Sequence, residues 1–311
     1  MQAFNYLGVG IQGEVTLCCP GWVDKRIGQI LPFDSRENPI KEIWHSEAAE
    51  DFRNTIRNQT YTYCNEKCPY LKSKSVVFNN TIPDVPDVPK VINLAYDKAC
   101  NLACPSCRPE PIRKPDYWAE GFRKQIEKLG YAPSLYFSGS ADPFGNTHYF
   151  NWLRDIDDGN SLQVGEFVIH TNGILLDRLL RLPNVLRKVS TLRVSLDAGT
   201  SETYLKVRKS DSFDRIIRNI KMVQKAHSTR LELNMVVQSM NFHEMKEMYN
   251  LGVSLGADVI NFDRIQDWYD RPDHVAHDVA NPTHQMHDDF KRHLTVLREV
   301  TACSDKASIG L

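Results

Sequence analysis

Net charge is almost absent from this sequence: 38 Lys and Arg stand against 39 Asp and Glu over 311 residues, a formal charge of −1. That balance lacks the electrostatic footprint of a nucleic-acid or anionic-membrane binder, so neither partner is expected. Long apolar runs are also missing, and none approaches the ~20 residues that a membrane-spanning helix needs. The opening stretch MQAFNYLGVGIQGEVTLCCPGW has no basic n-region and no extended apolar core, so it does not read as a secretory signal. Repeats of solenoid period and low-complexity tracts are lacking too. What remains is the expectation of a cytoplasmic protein with one large α/β domain plus something small, or two ordinary domains. Hydrophobic residues make up 41% of the chain, enough for a substantial core.

The chain does have clustered thiols. Its eight cysteines are Cys18, Cys19, Cys64, Cys68, Cys100, Cys104, Cys107 and Cys303. In a reducing compartment such spacing reads as metal ligation more readily than as disulfide pairing. A Pro-rich stretch, NNTIPDVPDVPK (79–90), cannot be helical around Pro83, Pro86 and Pro89, and marks a linker. The expected organisation is a cysteine-rich module at 1–78, an α/β body at 91–270 and a helical tail at 271–311.

Six strand-like runs alternate with helical patterns in that body: 91–97, 134–142, 167–173, 192–199, 231–238 and 259–266. Between them, Trp118, Phe122, Ile126 and Leu129 form one helical stripe. Phe213, Ile216, Ile220 and Val223 form another, with Ser212 as the expected N-cap. A third helix is expected to start with Asn241 as cap and Glu244 three residues on, and to end at Gly256. This alternation predicts a parallel sheet, open or curled into a partial barrel, with functional groups at the C-terminal strand ends.

DKACNLACPSCR (97–108) places three cysteines just past the first of these strands, followed at once by an arginine. Structural zinc takes four protein ligands and an iron–sulfur cluster normally takes four thiolates. Three thiols on one short loop therefore leave one metal site for a ligand that is not protein. CNLACPSC resembles the CX3CX2C motif of the radical S-adenosylmethionine (SAM) superfamily, and the resemblance extends over roughly residues 91–270. It implies a partial (β/α)6 TIM-like barrel, with Cys100, Cys104 and Cys107 on a 4Fe-4S cluster whose fourth iron is chelated by SAM.

Four further stretches carry the resemblance. FSGSADPF (137–144) is similar to the family's GGEP segment and implies contacts to the SAM ammonium from Gly139, Ser140 and Asp142. Asp142 stands there in place of the usual Glu. HTNG (170–173) resembles the TNG segment and brings Asn172 to the ligand. VSLDAG (194–199) is similar to the fourth-strand SxDG pattern, which implies Ser195 and Asp197 on the ribose. Arg208 matches the arginine that related enzymes place on the SAM carboxylate. Ser106 stands where the family usually has an aromatic residue, so the adenine contact is expected elsewhere, near Phe262. The implied chemistry is reductive cleavage of SAM to a 5′-deoxyadenosyl radical, which abstracts hydrogen from a substrate C–H bond. A flavodoxin or ferredoxin is the electron donor such chemistry implies.

GEVTLCCPGW and YCNEKCPY supply Cys18, Cys19, Cys64 and Cys68. With Gly13 five positions before Cys18, this segment resembles the SPASM or twitch-type auxiliary cluster module, placed before the barrel. Too few cysteines are present for two auxiliary clusters. Adjacent side chains diverge, so Cys18, Cys64 and Cys68 are the favoured ligands, with Cys19 as a further one. A zinc knuckle fits the same four thiols. Cys303 is a candidate hydrogen-atom donor, since some radical epimerases quench with a free thiol; the alternative is a small buried hydrophobe. HVAH (274–277) and HQMH (284–287) are expected at the surface rather than on a metal. Members carrying such a module often oxidise, crosslink or epimerise peptides or proteins. Sugar- or aminoglycoside-type substrates and a non-catalytic, metal-braced binding protein are the alternatives.

Overall fold

A computed structural model of the chain describes residues 2–66, 68, 71, 84–138, 140–266 and 274–311, apart from the side chains at 274 and 275. Part of the expected linker (79–83, with Pro83) and Gly139 lie outside the described residues. Two compact units form: residues 1–99 with 114–168, and residues 100–113 with 169–311.

In the first unit, strand β1 (Tyr6–Val9) pairs antiparallel with β2 (Glu14–Thr16), which pairs antiparallel with β3 (Gly28–Gln29). On its other side β1 runs parallel to β4 (Val91–Leu94), and β4 runs parallel to β5 (Tyr131–Phe137). The cysteine-rich segment is therefore not an appendage: its first strand continues the sheet from β4. Gly13, at φ 77°, makes the turn into β2, and the Ile30 carbonyl occupies the space a Cβ would need. Helix α1 (Pro39–Trp44) starts on Asn38, whose Oδ1 accepts from Lys41 N at 3.1 Å. Helix α2 (Glu47–Arg57) is capped by Ser46, which accepts from Ala49 N at 3.2 Å.

Arg53 of α2 is buried and ties these pieces together. It donates to Ala3 O at 3.2 Å and Trp44 O at 2.9 Å, with its guanidinium 4.2 Å from the Trp44 ring centroid. Trp44 in turn donates to Pro86 O at 2.8 Å, so the described end of the Pro-rich linker is fixed. Helices α3 (Ala119–Glu127) and α4 (Thr147–Asp157) close the core. There Tyr96, Phe122, Phe137, Tyr149 and Trp152 meet edge to face at 5.2–5.8 Å. Each such side chain withdrawn from water contributes roughly 1.5–3 kcal/mol.

Strand β6 (Gln163–Thr171) carries the chain into the second unit. There β7 (Val189–Ser195), β8 (Arg230–Val237), β9 (Val259–Arg264) and β10 (Ala307–Gly310) pair in parallel, in that order. The tail thus ends in a strand as well as containing helix. Helices α5 (Ser201–Arg208), α6 (Phe213–Ala226), α7 (Met245–Ser254) and α8 (His287–Thr301) complete the unit. Period-two alternation sorts the sheet's faces. Val194, Leu233, Ile260 and Phe262 are buried; Gly252 of α7 packs against Ile260 and Leu233, and Gly173 against Val194, which marks this as the covered face. Arg193, Ser195, Glu232, Asn234, Asn261 and Asp263 point the other way.

Two expected caps are not made. Ser212 makes no side-chain cap bond to α6. Asn241 instead accepts from Gln238 N and donates to Asp197 O and Val236 O, because three buried backbone groups there outcompete a helix end. Its expected capping partner Glu244 reaches across to the start of α5. Among the described residues, no helix is long and apolar enough to cross a membrane.

Candidate functional site

The three-cysteine loop begins where β4 has ended. In the first unit, Asp97 accepts from Ala99 N at 2.7 Å and Asp116 N at 2.9 Å, fixing the chain on both sides of residues 100–113. In the second unit, Cys100 N donates to Ile112 O at 2.8 Å and closes the loop at its base. A turn follows in which Cys107 N and Arg108 N both donate to Cys104 O, at 2.8 and 3.0 Å. Cys104 is buried, while Cys100 and Cys107 are half-buried.

Each of the three sulfurs meets a nitrogen donor from a different residue. Asn172 Nδ2 lies 3.7 Å from Cys100 Sγ, Arg208 Nη1 lies 3.3 Å from Cys104 Sγ, and Arg108 Nε and Nη2 both lie 3.4 Å from Cys107 Sγ. Hydrogen bonds to sulfur are among the features by which a protein tunes an iron–sulfur cluster. Asn172 is held by the turn the sequence marked: its Oδ1 accepts from Ile174 N at 3.1 Å and its Nδ2 donates to Asn101 at 2.9 Å. Gly173 sits at φ 81° with Ile216 packed where a Cβ would stand, so that position is closed to larger residues. Buried Asn219 of α6 holds the Gly173 and Ile174 carbonyls at 3.1 and 3.0 Å.

Arg208 ends α5 and turns inward. Its Nη2 pairs with Asp197 Oδ2 and donates to Ser195 O, each at 2.9 Å, while its Nε is buried with no hydrogen-bond partner among the described residues. Burial works against the guanidinium, but Asp197 and Cys104 more than offset it and raise its pKa. Asp197 adopts a left-handed backbone, φ 61°, and its Oδ1 accepts from Val236 N at 2.8 Å. Burial pushes its carboxyl upward against the pull of Arg208. Ser195 meets His170 at 2.7 Å. Burial, aided by Arg193 and Arg208, pushes His170 down to about 3, so its imidazole is neutral. Glu244, which the sequence had suggested as a helix cap, anchors the start of α5. It accepts from Gly199 N, Thr200 N, Thr200 Oγ1 and Thr203 Oγ1 at 2.6–3.0 Å.

The uncovered face of β7–β9 forms a polar wall. Arg193 stands opposite Glu232 in register and bonds it at 2.8 and 2.6 Å; Ser195, Asn234 and Asn261 make the next row; Val236 and Asp263 make the third. Desolvation pushes the Asp263 carboxyl upward, with Arg193 opposing, although the residue as a whole is exposed. Phe262, where adenine contact was expected, is fully buried on the opposite face with Ile260, as strand alternation requires.

In the first unit, Asp142 is buried and its Oδ1 accepts from Phe144 N and Gly145 N at 3.0 and 2.8 Å, bracing its own turn. Its backbone N donates to Ala99 O at 3.1 Å, next to the first cysteine of the loop. Ser140 is half-buried beside it.

Upstream, Cys18 and Cys19 follow β2, and an isolated bridge between Val23 and Cys64 joins the two cysteine segments. Asn65 N donates to Trp22 O at 2.8 Å, and Cys68 N to Asn65 O at 2.9 Å. Burial pushes the Cys18 thiol up to about 12, with Cys19, Cys68 and Cys64 adding to the rise. Among the described residues, no three His, Cys, Asp or Glu side chains converge as the ligands of a single ion do. A four-iron cube does not ask for that, because each thiolate takes its own iron.

Cys303 is not brought to these groups. It is exposed on the turn between α8 and β10, before the N-terminal end of the parallel strands, whereas Ser195 and Asp197 lie at or past the C-terminal end of β7. His277, His284 and His287 bond Ser239, Ala276 O and Val279 O, and the His274 side chain lies outside the described residues. Arg108, Asp97 and Glu244 had no expected role at the site. Only Arg108 left a sequence signal, its place directly after the third cysteine.

The family model of the radical SAM superfamily matches residues 96–252, just over half of the chain, and the SPASM iron–sulfur cluster-binding domain matches residues 1–69. The chain belongs to the radical SAM superfamily. It is an enzyme of that class, with an α/β fold preceded by a SPASM-type segment, and its cofactors are a 4Fe-4S cluster, SAM and an auxiliary iron–sulfur cluster. Over 94 residues, 29% of each chain, it is 35% identical to a probable GTP 3′,8-cyclase of Saccharolobus islandicus. Streptococcus suis SuiB bound to S-adenosylmethionine superposes with a TM-score of 0.46 at 14% identity, over 85% of this chain and 60% of SuiB. Native anSMEcpe with bound AdoMet and a Cp18Cys peptide gives 0.48 at 18% identity, over 70% of this chain and 62% of that one. The chain thus spans less than two thirds of the length of these three proteins.

Proposed function

We propose that Cys100, Cys104 and Cys107 hold the 4Fe-4S cluster and that the enzyme modifies a peptide or protein by oxidation, crosslinking or epimerisation. One observation carries the cofactor assignment: a single closed loop presents three thiols, and each sulfur meets its own N–H donor. When bound, the cluster and SAM together supply a 5′-deoxyadenosyl radical that takes a hydrogen atom from an unactivated C–H bond.

The chain's own residues bind and orient. Arg208 Nε, buried and unpartnered among the described residues, suits a carboxylate oxygen of SAM, while Asp197 keeps the guanidinium charged and aimed. Asn172 and Ser195 complete the polar surround, and the family resemblance assigns the SAM ammonium to Gly139, Ser140 and Asp142. Cys18, Cys64 and Cys68, with Cys19 as a further ligand, hold the auxiliary cluster. A flavodoxin or ferredoxin supplies the electron, in a cytoplasmic setting without nucleic acid or membrane as partners.

For the substrate, the support is the amide-rich wall of Asn234 and Asn261 between Arg193–Glu232 and Asp263, which matches the alternating donors and acceptors of a peptide backbone. The SPASM match adds to it, since members with such a module often act on peptides. The test is anaerobic turnover with SAM, dithionite and short peptides encoded beside the gene, read by mass spectrometry. A loss of two hydrogens, or deuterium uptake at one α-carbon, is the expected result. Modification of an aminoglycoside in place of every peptide overturns the peptide assignment.

A further inference from the structure

The three donors at the cysteine loop are not equivalent. Arg208 also serves Asp197 and Ser195 O, and Asn172 also holds Asn101 and Ile174 N, so each has a second task in shaping the site. Arg108 directly follows the third cysteine. Its backbone N is fixed on Cys104 O at 3.0 Å, and its side chain folds back so that one edge of the guanidinium, Nε and Nη2, meets a single sulfur at 3.4 Å twice. It is 8% exposed.

We infer that Arg108 sets the reduction potential of the cluster, acting through Cys107 as a positioning residue that makes the cluster easier to reduce. The inference rests on the assignment of the cluster to Cys100, Cys104 and Cys107. A reduced cluster carries one more negative charge than an oxidised one, so a nearby desolvated cation and its N–H groups stabilise it more. Hydrogen bonds to the sulfurs and net charge are among the terms that set such potentials. The upstream thiols differ here. Among the described residues, Cys18 and Cys19 receive backbone N–H groups, from Cys19 and Gly21, and Cys18 donates to Gln2. The auxiliary cluster therefore serves as a control within the same molecule.

The experiment is a potentiometric titration followed by electron paramagnetic resonance on the full chain with both clusters loaded, for wild type, Arg108→Gln and Arg108→Lys. The signal that changes when SAM is added belongs to the cluster with an open iron, and the silent one to the auxiliary cluster. In Arg108→Gln the SAM-responsive signal is expected to titrate lower by about tenfold in the reduced-to-oxidised ratio, about 59 mV for one electron. Arg108→Lys, which keeps the charge and loses the fork, should fall between, and the silent signal should not move. A wild-type midpoint in a fully iron-loaded Arg108→Gln protein overturns the inference, as does an equal shift of both signals. Should the glutamine variant not load four irons at the loop, Arg108→Lys decides alone: a lowered midpoint supports the inference and an unchanged one overturns it. Absence of any SAM-responsive signal in wild type defeats instead the cluster assignment itself.

Discussion

The two thiol groups of this chain are built on different principles. At Cys100, Cys104 and Cys107 the sulfurs sit on one loop of fourteen residues and are met by two arginines and an asparagine. At Cys18, Cys19, Cys64 and Cys68 the sulfurs come from two segments joined by a strand bridge, and among the described residues burial dominates the surroundings of Cys18, Cys19 and Cys64. A site meant to exchange an electron with a charged ligand gains from donors that stabilise added negative charge. A site held by protein on all sides needs only to be gathered and shielded.

The sharpest way to break that contrast is to delete one sulfur from each group. Cys104→Ala is expected to abolish 5′-deoxyadenosine release, while Cys64→Ala retains part of it, both measured by chromatography after reduction with dithionite. Equal loss in both would mean that the two groups do not divide the labour as described. Next in size is Asp197→Asn, which leaves the buried Arg208 without its counter-charge. Removing one member of such a pair costs about 3–5 kcal/mol, so denaturant midpoints should fall sharply and SAM binding should weaken with them.

A pH effect belongs to the first unit. Burial, with Arg123 adding, pushes His148 down to about 4 from its ordinary 6.5, and its ring meets Tyr96 OH at 3.0 Å. Between those values the unfolded chain binds a proton that the folded chain refuses. Stability from this group is therefore complete above about pH 6.5 and lost as pH falls toward 4, by roughly 3 kcal/mol. Urea titrations across that range should show the slope, and His148→Phe should flatten it. The smallest contrast lies in two serines. Ser46→Ala should cost about 1 kcal/mol because Ser46 caps α2, whereas Ser212→Ala should change thermal stability little, because Ser212 makes no cap bond.

Much of the body was legible because its strands are apolar runs with clear breaks, yet the expected runs extend past where pairing stops. Residues such as Ser138, Asp142, Leu196 and Asp197 read as strand continuations but turn away to bond loops and neighbours. Strands β1, β2, β3 and β10 have only two to four residues and show no period long enough to read. Asn241 and Glu244 carry the letters of a capping box, but long-range partners at Asp197 and Thr200 claim both side chains. The cysteine spacing, HTNG and the VSLD stretch pointed to residues that the second unit does bring together. Arg108 was visible as a letter, but its aim at Cys107 depends on a turn that spacing alone does not reveal.

The measurement closest to the central claim is electron paramagnetic resonance of the reduced, iron-loaded chain before and after SAM, with 5′-deoxyadenosine assayed in the same sample. The account predicts a four-iron signal that shifts on SAM addition, is lost in Cys104→Ala, and is accompanied by deoxyadenosine. A reduced four-iron protein whose spectrum ignores SAM and which releases no deoxyadenosine would contradict it.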